Sequence, residues 1–569
     1  MPLKKKLVKD DFSNEIYAYA LENALLYGSA RASNILPKLF LHGLKKDKIK
    51  EVMPTIEGIV NLVNAMTYEE REKKFDNYKK FQKEKSSDER KELPDLPGIA
   101  EFLKKKKKPI FRMAPFPSGA LHIGNMKTYL LNALYAERYN GKILLIMDDT
   151  IGSEEKRIDL QAYNLIKEGF DFLKVKYEKP IIFKSDRVKI YYKYAEDLIK
   201  KKKAYVDFTP VEKMRELRAR GIPSASRELP VKFQMDNWKK MFLMPEGSAV
   251  LRLKTDMKHK NPAFRDRVIF RISDREHPRV GKKYRVWPLL EFSWAVDDYL
   301  LGVTHIIRGK ELMMEGEVQR FIWKIFGWKQ PEIIYVGLIK IEGISGKLSK
   351  SKSQKEIYSG EYIGWDDPRT WSIQSLARRG ILSKTLRDFV KKIGLNQKEI
   401  SIPIDDLYAI NRRYIDKKAN RYFFVENPVK ISLDKKLPNL IKVKFHPEKK
   451  DEKVINTGEK NEIFITKKDF EDFKGKEVRL MHVFNVKLDK ESIFTSEENK
   501  PELKKIHWVC DEIKSRVLMP DGVWINGFVE KNALDLDKGE IIQFERFGFC
   551  RFDGKNRFDG VLEFWYSHR

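Results

Sequence analysis

The chain has 569 residues, with 113 Lys plus Arg against 83 Asp plus Glu, a formal net charge of +30. That length fits three or four domains, and so large a basic excess favours a polyanionic partner. Two cysteines, Cys510 and Cys550, without CxxC or Cys/His spacing, exclude a disulfide framework and give no expectation of structural zinc or another protein-held metal. No 18-residue apolar run offers a membrane span, and Met1–Lys6 is basic without an apolar signal core, so a cytoplasmic protein is expected.

In chain order, residues 1–95 read as a helical appendage. Asn14–Tyr27 is a helix ending at Gly28, Ile49–Met66 repeats the pattern, and a charged stretch runs from Tyr68 to Lys91. Pro94 and Pro97 precede the run Lys104–Lys108, a solvated face. Ile110–Met113 then predicts a strand, and Ile123, Met126, Leu130 and Leu134 fall on one face of a following helix. Asn140-Gly141 supplies its stop. Ile143–Met147 is a continuous apolar run, expected of a parallel strand covered on both faces. This βαβ unit, placed in residues 96–185, puts a crevice at the carboxyl ends of its strands. A helix N-terminus there is expected to offer unpaired N–H groups to phosphates.

Residues 186–285 interrupt that fold with charged sequence, including Lys200–Lys203, Arg215, Arg218 and Arg220. The second half of the nucleotide fold is assigned to 286–355, beginning at Val286-Trp287-Pro288. Helical patterns fill a junction over 356–427. From 428 to 569 short alternating segments predict β-barrel structure, with turn signals at Pro520-Asp521-Gly522, Asp553-Gly554 and Asp559-Gly560.

Two stretches carry chemistry. Pro115-Phe116-Pro117-Ser118-Gly119-Ala120-Leu121-His122-Ile123-Gly124-Asn125 turns a strand into a helix, and Gly346-Lys347-Leu348-Ser349-Lys350-Ser351-Lys352 is a small-residue loop between lysines. Together they resemble the HIGH and KMSKS elements of class I aminoacyl-tRNA synthetases, which hold ATP from two sides. The resemblance implies ATP binding by Pro115, Gly119, His122, Gly124, Asn125, Lys347, Leu348, Ser349, Lys350 and Ser351. Within that set His122 and Lys350 take the catalytic roles. A histidine can donate to a phosphate oxygen, and a lysine can neutralise charge developing on the α-phosphate and the leaving pyrophosphate.

The wider sequence is similar to archaeal-type glutamyl-tRNA synthetases. Arg112–Gly124, Asp148-Asp149-Thr150, Trp287–Phe292, Ala295–Asp298, Gly302–Lys310, Asn411–Asp416, Arg421–Val425 and Gln543–Phe549 carry the likeness. It implies a multidomain α/β protein: a Rossmann-type catalytic domain with an inserted acceptor-binding lobe, an N-terminal helical segment, a helical junction and a β-barrel anticodon-binding region. It also implies ligation of L-glutamate to tRNA(Glu) through glutamyl-adenylate, with magnesium-ATP as substrate and a monomer as the family default. Arg112 would hold the glutamate side-chain carboxylate, Asp148 its ammonium group, and Arg308 would also lie at the substrate. Leu290, Trp294 and Ile146 stand where bacterial relatives carry polar residues. Charging of tRNA(Gln) as well stays open at this point. So do a glutaminyl-tRNA synthetase and a tRNA-binding paralogue without ligase activity.

Overall fold

The computed structural model describes residues 12–82, 93–152, 157–344 and 350–569. The chain divides into two compact units, Met1–Glu92 and Leu93–Arg569.

The first unit is helical: α1 (Ser13–Tyr27), α2 (Ala32–Leu39), α3 (Ile49–Asn64) and α4 (Tyr68–Tyr78). α1 stops at Gly28, whose φ of 81° is a left-handed cap that costs glycine no Cβ clash. Ile16, Leu21, Ile35, Leu39, Ile56 and Val63 are fully buried and form its core. The charged stretch after Tyr68 begins as a helix because Thr67 and Glu70 make a capping box. Arg71 then donates to the carbonyls of Gly28, Val63 and Asn64. One guanidinium thereby satisfies the C-terminal ends of two helices.

The second unit opens with α5 (Ile99–Lys104), β1 (Ile110–Met113), α6 (Ile123–Arg138), β2 (Lys142–Met147), α7 (Ala162–Phe172), β3 (Glu178–Phe183) and α8 (Val188–Lys200). After the inserted lobe come α11 (Leu290–Leu300), β8 (His305–Gly309), α12 (Met313–Phe326) and β9 (Glu332–Val336). The five strands form a parallel sheet in the order β3-β2-β1-β8-β9. Strand order reverses between β1 and β8, which opens a ligand crevice at their carboxyl ends. Both faces are covered. Ile143 and Ile307 belong to the core under α6 and α7, while Leu144 and Ile306 face the core of α8, α11 and α12. The stop after α6 is made at Asn140, φ 48°, ahead of Gly141.

The lobe between the halves holds β4 (Ala204–Asp207), α9 (Val211–Arg220), α10 (Val231–Met241), β5 (Val250–Leu253), β6 (Val268–Ile272) and β7 (Val286–Pro288). Its antiparallel sheet runs β4-β5-β6-β7. Val286-Trp287-Pro288 therefore closes the lobe's sheet, pairing with Ile272, Arg271 and Phe270, instead of joining the catalytic sheet. Three residues suffice because Val286 and Trp287 are fully buried. Two of the lobe arginines singled out from sequence are paired locally, Arg215 with Glu212 and Arg220 with Glu216, and Arg218 donates to the Pro262 carbonyl.

Next come β10 (Ile339–Glu342), α13 (Lys350–Tyr358), α14 (Ile373–Arg378), α15 (Ser383–Ile393), β11 (Ile400–Pro403) and α16 (Ile404–Ile415). The rest of the chain makes curled sheets of seven and six strands and a two-stranded ribbon of Leu440–Lys444 and Glu452–Asn456. In the larger, strands Arg421–Tyr422 and Phe424–Glu426 are opposite edges, yet only Phe423 separates them. The sheet must curl back on itself to allow this. Asp553-Gly554 is not a turn: both residues sit inside the strand Gly548–Lys555, where the register shifts beside Gly554 at φ 127°. A bulge of that kind bends a curled sheet. Trp508, Phe544, Phe549 and Trp565 are buried, and Trp524 is exposed beside Arg516.

Candidate active site

The segment joining β1 to α6 borders the crevice. Pro115 accepts from the Asp148 N–H at 3.1 Å, and Pro117 accepts from the Asp159 N–H at 2.9 Å. The two strand ends are tied together by these bonds. Gly119 has φ 144°, and the Trp365 ring packs on it so closely that a Cβ there would sit 2.1 Å from that ring. Glycine is required twice over, by conformation and by space. We expect Gly119→Ala to raise the ATP requirement about 10-fold, because strain of ~1–3 kcal/mol displaces the loop. ATP titration of adenylate formation measures it, and an unchanged ATP requirement would mean the loop does not touch the nucleotide.

His122 is the N-cap of α6. Its Nδ1 accepts from the Gly124 N–H at 3.1 Å, while Asn125 Oδ1 accepts from the His122 N–H at 3.0 Å. The first N–H groups of α6 are not free, contrary to the sequence expectation. Ile123 donates to the Trp371 carbonyl, Gly124 to His122 Nδ1, and Asn125 and Met126 to the His122 carbonyl. The reason is a distant segment: Trp371, at φ 51°, delivers its carbonyl to the helix start, and Ser372 bridges to His122. What remains at the helix start is the dipole and the imidazole.

That imidazole is neutral. Burial, and then the nearby Lys350 ammonium, push its pKa down to about 4. With Nδ1 accepting, the proton sits on Nε2, which becomes the outward donor. His305, His507 and His568 are likewise held down to about 4, each chiefly by burial. An unfolded chain protonates these rings below pH ~6.5, whereas the folded chain resists until about 4. Stability therefore falls as pH drops through that window. The buried carboxyls of Asp297 and Glu545, raised by burial, oppose this in part. Circular-dichroism melts at about pH 7, 6, 5 and 4 should show a falling midpoint; a flat one would mean the rings are not buried neutral.

Lys350 starts α13, near enough for its charge to act on the His122 ring. The helix is anchored by Gln354 and Tyr358, which both donate to Asp159 Oδ2 at 3.3 Å. Asp159 is in turn tied to Pro117. Ser351 follows Lys350 on the exposed side. Lys347, Leu348 and Ser349 lie outside the described residues.

Deeper in the crevice, Arg112 on β1 and Arg308 on β8 stand on the neighbouring strands of the switch point. Arg112 is committed to Asp298, with Nε 2.5 Å from Oδ1 and Nη2 3.2 Å from Oδ2. Gln319 donates to Asp298 Oδ2 at 3.0 Å and accepts from Arg308 Nη1 at 2.6 Å. Arg308 Nη2 also donates to the Tyr335 hydroxyl at 3.3 Å. Gly316 makes room, since a Cβ there would meet that hydroxyl at 1.9 Å. Burial, then Arg112, lowers the Arg308 pKa. Asp148, at the end of β2, faces the fully buried Lys184, whose Nζ is 2.6 Å from Oδ1 and donates to Ser293 Oγ at 2.9 Å. The Lys184 ammonium thus neutralises Asp148 inside the crevice. Its neighbour Asp149 accepts from Ser185 and Tyr163 and fixes the turn.

Arg112, Asp148 and Arg308 are thus brought together, and so are His122 and Lys350. Sequence reasoning did not find Lys184, Gln319, Tyr335 or Trp365. Lys184 follows the apolar run Ile181-Ile182-Phe183, and only that strand-end position marks it. Among the described residues, no group of three or more His, Cys, Asp or Glu is placed to hold a metal ion. No helix among them is long and apolar enough to cross a membrane.

Residues 110–417 match the family model for the catalytic domain of class I tRNA synthetases (E and Q). Residues 419–507 and 491–553 match two models for that family's anticodon-binding domain. A glutamate–tRNA ligase of Pyrococcus furiosus is 40% identical over 97% of this chain and 98% of its own. One from Methanocaldococcus jannaschii is 38% identical over 98% and 100%. A solved glutamate tRNA ligase from Elizabethkingia meningosepticum covers 55% of this chain and 71% of its own, at 19% identity and a TM-score of 0.38, too loose to place any residue. With near-complete coverage at such identity, and catalytic and anticodon-binding models matched in order, the chain belongs to the class I tRNA synthetases of the glutamate and glutamine group.

Proposed function

We propose that this protein ligates L-glutamate to tRNA(Glu) in two steps, as a monomer, with magnesium-ATP as substrate. The glutamate α-carboxylate attacks the α-phosphate, forming glutamyl-adenylate and releasing pyrophosphate. The terminal ribose hydroxyl of the tRNA then attacks the adenylate carbonyl and releases AMP. One observation carries the reading: the helix that Lys350 starts is hydrogen-bonded through Gln354 and Tyr358 to Asp159, and Asp159 to Pro117 in the loop leading to His122, so two motifs more than 200 residues apart in sequence meet at one crevice.

The side chains do little covalent work. Positioning and charge stabilisation account for the rate. His122 Nε2–H donates to a phosphate oxygen without carrying charge, and Lys350 neutralises charge as the pyrophosphate leaves. Lys347, Leu348, Ser349 and Ser351 complete the loop over the triphosphate, opposite Pro115, Gly119, Gly124 and Asn125. Asp148 takes the amino acid's ammonium, while Arg112 and Arg308 supply positive charge for its side-chain carboxylate. In the second step the lobe of β4–β7 receives the acceptor end, and the curled sheets read the anticodon. An exposed aromatic beside an arginine, such as Trp524 with Arg516, is the kind of surface on which a splayed base stacks.

The test is exchange of labelled pyrophosphate into ATP with glutamate, with and without tRNA(Glu). Glutamate-dependent exchange that requires the tRNA supports the reading; exchange driven by another amino acid would overturn it.

A further inference from the structure

Trp294, in the second turn of α11, is only 4% exposed. Three cations crowd its ring: Arg112 Cζ at 4.4 Å from the centroid, Lys184 Nζ at 5.0 Å and Arg308 Cζ at 5.5 Å. Two carboxylates answer them, Asp298 on Arg112 and Asp148 on Lys184. Asp297 is taken by Arg187 and Tyr191, and Glu311 lies at the solvent-exposed rim. Three buried cations against two buried carboxylates leave one positive charge without a buried counterpart. A buried charge persists only when paired, so the cluster is suited to an incoming anion.

The hydrogen-bond balance agrees. Two buried donors of the cluster have no partner: Trp294 Nε1 and Arg308 Nε. An orphan of this kind is costly in a finished core. Here both are N–H donors. An amino acid with an acidic side chain brings the complement, an acceptor-only carboxylate for the two N–H groups.

We infer that Trp294 is a specificity-determining residue for the side chain of the amino acid, donating its Nε1–H beside Arg308 Nε to the side-chain carboxylate. This rests on the reading that glutamate is the substrate. The indole does two things. Its face seats the guanidiniums of Arg112 and Arg308 by cation–π contact, and its N–H adds a neutral donor that repels no cation. A glutamine amide fits badly, because its NH₂ would face N–H donors and cations. Selection of acid over amide then follows from the two unpartnered N–H donors of Trp294 and Arg308.

Trp294→Phe keeps the aromatic face and removes the donor. Loss of a hydrogen bond to a charged group corresponds to about 10- to 100-fold. We expect the glutamate KM of the full-length enzyme to rise by that factor in aminoacylation of tRNA(Glu), with kcat and the ATP KM changed little. The preference for glutamate over glutamine should fall in parallel. A variant with the wild-type glutamate KM and preference overturns the inference and leaves the proposed function standing. Equal losses for ATP and glutamate, with a lowered melting midpoint, would mean a purely structural tryptophan and also overturn it. Failure of the wild-type protein to use glutamate at all would instead overturn the proposed function.

Discussion

Lys350→Ala is expected to slow glutamyl-adenylate formation by about 10²- to 10³-fold, the size seen when one preorganised charge stabiliser is removed from a transition state. Lys350 sits at the N-terminus of α13, and that helix is fixed to Asp159, hence to Pro117 and the loop that leads into His122. Its ammonium helps to lower the His122 pKa, as a charge close to the imidazole does. A charge aimed at the leaving pyrophosphate gains most of its value as the phosphorus–oxygen bond breaks. The loss should therefore fall on kcat more than on the ATP KM. Affinity for tRNA, set by a far larger surface, should change little. Single-turnover adenylate formation and filter binding of tRNA(Glu) separate the two. A large loss of tRNA binding with normal adenylate formation would contradict the assignment.

Asp298→Ala should be the most damaging change away from the ATP elements. Asp298 is fully enclosed, holds Arg112 through two hydrogen bonds, and accepts from Gln319, which in turn holds Arg308. Removing it strands a buried guanidinium and frees the amide that orients a second one. Breaking a buried pair in this way costs about 3–5 kcal/mol. The melting midpoint of the catalytic unit should fall by several degrees, and glutamate use should be lost before ATP binding. Asp298→Asn should recover part of the fold, because the amide oxygen still accepts from Arg112, but not the charge that keeps Arg112 in register. Melting curves with parallel glutamate titrations measure both effects. A midpoint equal to that of the unmodified protein would mean the pair contributes nothing net.

Much of the catalytic half was legible from local pattern. The β1–α6–β2 unit follows from a strand, a helical stripe, an Asn-Gly stop and an apolar run, all contiguous in sequence. Its parallel pairing and double cover are what such a run requires. Long-range pairings were not legible. Arg112 and Asp298 could each be named, yet nothing in either neighbourhood says that they close on each other across 186 residues. The Trp371 carbonyl that occupies the start of α6 comes from a segment that local periodicity treats as plain helix and loop. Val286–Pro288 shows the same limit, because a three-residue strand bears no mark of which sheet it joins. Gly554 shows it again, since a glycine read as a turn can equally bend a strand. Lys184 was hidden by abundance: in a chain with 113 basic residues, one buried lysine is distinguished by its surroundings and not by its type.

The most direct test of the account is aminoacylation with labelled glutamate and labelled glutamine against separate tRNA(Glu) and tRNA(Gln) transcripts. Glutamate attached to tRNA(Glu) is the expected result. Glutamate on both transcripts would keep the chemistry and place the relaxed discrimination in the anticodon-reading sheets. Attachment of glutamine, or no charging of either transcript with either amino acid, would contradict it.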